Sequence, residues 1–226
     1  VALAAGLRAD ILMEQGRLDE AIFVLNDEAL PVLMALGDLH ALAASARRIV
    51  RVHTSRRQFE EALSLMRWVL GLFEAEDDEV GRGVTLIEIA DVLHAQGAFD
   101  EAARLQREVA LPIFQSIGDL HAQALTLGRL AGALHAQGRL DEAIQIRREE
   151  ELPTYIALGK TRDICVAQIN LAQLLLRRGH PGDTPEALTL FTTVYERAVE
   201  LGYAREAEHA RAVLHTLSGS DDELLS

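Results

Sequence analysis

Cysteine is nearly absent from this 226-residue chain. Cys165 stands alone, which excludes an internal disulfide framework and fits a reducing, cytoplasmic setting. Aromatic residues are only 4% of the chain, while alanine and leucine are abundant, so strand formers are scarce and helix formers plentiful. Positive charge is also scarce. The 22 basic residues face 35 acidic ones for a formal net charge of −13, which argues against a general binder of nucleic acid or of anionic membranes. Lysine occurs once, at Lys160, against 21 arginines, a bias expected of a GC-rich bacterial genome. No apolar run reaches the roughly 18 residues that a membrane span needs. Val1–Gly6 is apolar but lacks the basic start of a signal peptide, and without an initiator Met the chain reads as a piece of a longer protein.

Catalytic signatures are missing as well. There is no His-Glu-x-x-His, no cysteine pair and no Gly-x-Ser-x-Gly. Gly159-Lys160-Thr161 resembles the end of a phosphate-binding loop, but Thr154 stands where that loop needs its first glycine, and the segment follows a helical stretch. No catalytic residue, metal ligand set or cofactor is expected.

What the chain has instead is repetition. Gly16-Arg17-Leu18-Asp19-Glu20-Ala21 recurs as Arg57-Gln58-Phe59-Glu60-Glu61-Ala62, as Gly97-Ala98-Phe99-Asp100-Glu101-Ala102 and as Gly138-Arg139-Leu140-Asp141-Glu142-Ala143. A fifth copy begins at Gly179, with three extra residues before Pro185-Glu186-Ala187, and the starts lie 41, 40, 41 and 41 residues apart. Between these copies stand Leu30-Pro31, Leu111-Pro112 and Leu152-Pro153. Each unit reads as two helices. Before the glycine, apolar residues follow helical spacing, as at Leu127, Leu130, Ala131 and Leu134. The glycine ends this helix A in a left-handed turn. The acidic pair after it favours the start of helix B, where the helix dipole is positive. Asp119 is placed to cap the next helix A. Neither helix buries its stripe alone, so neighbouring pairs must stack.

This pattern resembles the tetratricopeptide repeat (TPR). A large apolar residue, a small one and a second large one four positions on from the first occur as Leu130, Ala131 and Leu134, as Ile89, Ala90 and Leu93, and as Leu171, Ala172 and Leu175. The period of about 41 instead of 34 residues is similar to the long repeats of kinesin light chains and many bacterial signalling proteins. The resemblance implies an all-α, right-handed superhelical solenoid of five helix-turn-helix repeats over residues 1–217, closed by a capping helix at about 204–217 and followed by a tail at 218–226. Two positions depart from the pattern, because Arg8 and His53 stand where large apolar residues are expected. The resemblance also implies a non-enzymatic scaffold that binds a protein or peptide segment, as a fragment of a larger bacterial signalling or regulatory protein. The alternative is an oligomerisation element that self-associates through its ends.

In such repeats the partner lies along helix A residues that point away from helix B. Carried over by position, that groove holds Asp10 and Met13, then Arg47, Arg51 and Thr54, then Ile87, Asp91 and His94, then Gly128, Gly132 and His135, then Gln173 and Arg177, and finally His209. The cluster Arg47, Arg48, Arg51, Arg56 and Arg57 has no acid between Ala41 and Phe59. It reads either as a face neutralised by acids such as Glu60 and Glu61 or as a clamp for an acidic partner. Gly128 and Gly132 cost a helix interior roughly 2 kcal/mol together. They read either as close packing or as a cleared floor for a partner backbone. His94, His135 and Asp91 are a conceivable metal set, though repeat duplication explains the histidines more simply. Each proline is expected to free the carbonyl four residues earlier, on Asp27, Glu108 and Glu149, with a kink. Cys165, at a small-residue position, is expected to be buried and inert.

Overall fold

The computed structural model describes residues 2–222, with side chains described through Leu217. It is 88% helical, and no strand occurs among the described residues. Two compact units divide it, Val1–Ile117 and Gly118–Ser226.

The first unit holds three hairpins. Helix α1 (Ala2–Glu14) pairs with α2 (Leu18–Phe23) and its continuation, a π-helical segment Val24–Ala29 leading into α3 (Leu30–Leu36). Next come α4 (Leu39–Ser55) with α5 (Phe59–Ala75), and α6 (Glu79–Gln96) with α7 (Phe99–Leu105), a π segment Gln106–Ala110 and α8 (Leu111–Ile117). In the second unit, α9 (Leu120–Ala136) pairs with α10 (Leu140–Ile146), a π segment Arg147–Glu151 and α11 (Leu152–Ala157). Then α12 (Thr161–Arg178) pairs with α13 (Asp183–Leu201), on which α14 (Ala204–Asp222) packs. Helix α14 continues through Asp222, past the boundary expected at Leu217, and residues 223–226 of the expected tail lie outside the described residues.

The turn chemistry is as the sequence requires. Gly16, Gly97, Gly138 and Gly179 all have positive φ, while Arg57 holds the same left-handed turn at φ 60° despite its side chain. Asp38, Asp78 and Asp119 cap the following helices by accepting from the backbone N–H of Ala41, Gly81 and Ala122 at 3.0, 2.7 and 2.9 Å. Leu130, Ala131 and Leu134 are buried, as are Ile89, Ala90 and Leu93. Of the two departures, Arg8 turns outward to pair with Glu28, and half-buried His53 donates from Nδ1 to Gln58 Oε1 at 3.1 Å.

The prolines do something other than kink a regular helix. Each Leu-Pro copy is preceded by a π segment, and the N–H of Leu30, Leu111 and Leu152 reaches back five residues to the carbonyl of Leu25, Gln106 and Arg147. The wider turn relieves the clash of the proline ring with the carbonyl four residues before it. The second and fifth copies lack Leu-Pro, and their helices α5 and α13 are unbroken. A π turn accommodates one extra residue, and the chain length records it. From the signature alanine to the next helix is 18 positions where the π segment occurs (Ala21 to Leu39, Ala102 to Leu120, Ala143 to Thr161). It is 17 positions where the segment is absent (Ala62 to Glu79, Ala187 to Ala204). The single 40-residue spacing in the sequence is therefore the repeat whose helix B has no π turn.

Candidate functional site

The expected groove residues divide between the two units. In the first, the arginine cluster is largely neutralised, by acids of neighbouring helices and not by Glu60 or Glu61. Arg48 holds Asp10 at 2.8 Å, Arg56 holds Asp19 at 2.5 Å and Arg47 lies 3.6 Å from Glu88. Arg51 is exposed and forms no ion pair among the described residues. Asp91 is half-buried, and exposed His94 rests edge-on against Phe99 with ring centroids 5.0 Å apart. Ile87 is not a groove residue: it is buried in the core. Among the described residues no group of three or more His, Cys, Asp or Glu side chains is placed to hold a metal.

The second unit carries a groove along α12. Its spine is the exposed face of α12, with Asp163, Val166, Asn170, Gln173 and Arg177 in succession. On one side, a cleft of about 310 Å³ separates α12 from α9 and is lined by Leu125, Gly128, Arg129, Arg147, Glu151 and Tyr155. On the other side, an open trough of about 690 Å³ separates α12 from α14, where Arg205, Glu208 and His209 face it. Val166 and Asn170 line both, so the two form one surface within this unit. Gln173 Nε2 lies 2.9 Å from His209 Nε2, tying α12 to α14 across the trough. Half-buried His135 sits on α9, and Arg177 is exposed with no ion pair among the described residues.

Gly128 is not a cleared floor. A β-carbon there would lie 2.5 Å from Glu151 Oε1, so the missing side chain makes room for a carboxylate of the same hairpin. Arg147 donates from Nη1 to Glu151 at 2.6 Å and from Nη2 to the Gly128 carbonyl at 3.1 Å. This pair is almost wholly buried, which costs several kcal/mol per ion in lost hydration before attraction offsets it. Burial, opposed by Arg147, holds the Glu151 carboxyl above its ordinary range. Burial first, then the nearby carboxylates, pushes the Tyr155 phenol up to about 12. Gly132, by contrast, has open space where its β-carbon would stand.

Arg147 and Glu151 escape a reading that confines the groove to helix A, yet the repeat register marks them. The position four after the signature alanine is Leu25, Met66, Gln106, Arg147 and Phe191 in the five copies, and all are buried. A charge in that series is out of place unless a partner is built for it, and Glu151 with Gly128 is that partner. Cys165 is fully buried in α12, and burial raises its thiol above the ordinary range.

No protein-family model matches the chain, and no curated protein matches it in sequence. Solved structures do match it. The nearly identical TPR-like repeats of a Podosopora anserina protein described as a kinesin light chain superpose with a TM-score of 0.67 at 20% identity, covering 88% of this chain and 95% of that one. The chain has the TPR-like repeat fold. The same TPR-like architecture occurs in a signal-transduction ATPase with numerous domains and a tetratricopeptide repeat sensor from Pyrococcus horikoshii. There the TM-score is 0.63 at 16% identity, and the match covers 97% of this chain but 37% of that one. A Rap protein complexed with competence and sporulation factor gives a TM-score of 0.58 at 13% identity, with 91% of this TPR-like chain and 63% of that protein covered.

Proposed function

We propose that the chain is a non-enzymatic scaffold that holds a segment of a partner protein along α12 of its second unit. The observation that carries this reading is the mixed lining of that surface. Exposed Leu125 and Val166 offer apolar contact, and Asn170, Gln173 and His209 offer hydrogen bonds to a chain lying between α9 and α14. The Rap structure, in which a related fold is complexed with a factor, supports the same use. Exposed Arg51 in the first unit and Arg177 and Arg205 in the second favour a segment that carries carboxylates. The sensor role of repeats in the signal-transduction ATPase supports a place in a larger signalling or regulatory protein. The arginine bias supports a bacterial source and the lone buried cysteine a cytoplasmic one. Among the described residues no helix is long and apolar enough to cross a membrane.

The test is selection from a peptide library, followed by affinity measurement with the variant Asn170→Ala/Gln173→Ala. Selected peptides are expected to bind the variant roughly tenfold or more weakly, with the helical fold retained by circular dichroism, and to weaken with added salt. Peptides that bind the folded variant as well as the parent move the site away from α12.

A further inference from the structure

The lone tryptophan of the chain stands at the surface. Trp68 on α5 is 41% exposed and lines a cleft of about 550 Å³ between the first two hairpins. Ile49 and Leu65 give this cleft an apolar floor, with Asn26 and Ser64 at its sides. Six residues after the signature alanine the other copies have Asp27, Glu108, Glu149 and Thr193, so the repeat pattern does not require an indole here. Hairpins precede and follow α5 within the same unit, and the indole stays uncovered between them.

The charges around the cleft select its occupant. Glu60 and Glu61 also line it, two turns before Trp68 and about 10 Å from it along the α5 axis. In the first and fourth copies the matching acids are neutralised: Asp19 by Arg56, Glu20 by Arg17, Asp141 by Arg178 and Glu142 by Arg139. In the second copy Gln58 takes the place of Arg17 and Arg139, and Gln96 that of Arg56 and Arg178. Glu60 and Glu61 are accordingly exposed and form no ion pair among the described residues. Asp100 and Glu101 of the third copy form none either, but Glu108 stands there in place of the indole. No arginine or lysine lines the cleft. Arg56 is held by Asp19, Arg57 lies 5.8 Å from the Phe59 ring centre, and exposed Arg67 is outside the lining. His53 commits Nδ1 to Gln58, and exposed Asp27 beside Asn26 adds negative charge. An uncovered indole and two carboxylates without a cation of their own complement a guanidinium, which stacks on the ring and offers forked donors to a carboxylate. We propose that this cleft binds an arginine-bearing segment of a partner protein. One guanidinium lies over Trp68 and a second, about three residues away in an extended chain, meets Glu60 and Glu61. The cleft is separate from the α12 groove, so either reading survives the failure of the other.

Because the chain has one tryptophan, its fluorescence reports on this cleft alone. Titration with the peptide Arg-Ala-Ala-Arg, blocked at both ends, is expected to give a saturable change in emission. The lysine counterpart, Lys-Ala-Ala-Lys, should bind several-fold more weakly, because an ammonium does not stack. Calorimetry then compares variants whose helical fold circular dichroism has verified. Glu60→Gln/Glu61→Gln should weaken the arginine peptide roughly tenfold, and Trp68→Ala roughly fivefold. Asp100→Asn/Glu101→Gln removes the same charge from the copy without the indole and should leave binding unchanged. The proposal is overturned by an emission that does not saturate or by equal binding of the two peptides. It is overturned as well if either cleft variant binds like the parent, or if the third-copy variant loses as much as the Glu60/Glu61 variant.

Discussion

Two glycines one turn apart on α9 have opposite reasons to exist. At Gly128 a β-carbon meets the Glu151 carboxylate, whose position is fixed by Arg147 and by burial. Gly128→Ala is therefore expected to destabilise the chain by about 1–3 kcal/mol through overpacking. Gly132 meets nothing, so Gly132→Ala is expected to stabilise by up to about 1 kcal/mol, the ordinary helix-propensity gain. Urea unfolding of both variants checks the pair, and the same sign for both would contradict the packing described. From sequence the two were indistinguishable, because the difference lies on the facing helix. The carboxylate that fills one site and not the other belongs to Glu151, four residues beyond an arginine in a core register.

At the scale of the element, the hairpins were legible because each boundary carries its own chemistry: a glycine or a strained Arg57 in the turn, an acidic first turn, an aspartate cap. The interior of helix B was not. A proline in mid-helix predicts a lost donor and a clash but not how the backbone answers, and here it answers by widening. The widening and the extra residue should be removable together. Deleting Glu108 while changing Pro112→Ala is expected to convert the third copy to the plain helix seen in α5, with little change in thermal stability. Deleting Glu108 alone leaves the proline in a regular helix and is expected to cost about 3 kcal/mol or more. Thermal melts of the two variants, followed by circular dichroism, measure the difference.

For the whole molecule, acid is the informative perturbation. Arg178 clamps Asp183 from α12 with bonds of 2.9 and 2.6 Å and also reaches Asp141 of the preceding hairpin at 2.8 Å. The hydrogen bond from Arg178 is the main reason the Asp183 carboxyl is held at about 2. A carboxylate whose folded value lies below its unfolded value stabilises the fold above the unfolded value, and that contribution is lost as pH falls through the folded one. Melting temperature is therefore expected to drop between about pH 4 and pH 2, and Arg178→Ala should flatten that part of the curve. A profile of unchanged slope in the variant would show that the clamp does not govern the response. Across the five repeats, the π turn has a consequence at the level of the gene. A codon gained or lost in mid-helix ordinarily rotates every later residue of that helix by about 100° and drags its buried face into water. Here one added codon is absorbed where it falls, so the helices before and after keep their partners. Copies of 40 and 41 codons can then sit side by side in one reading frame, and a duplication that mixes them yields a chain that still stacks.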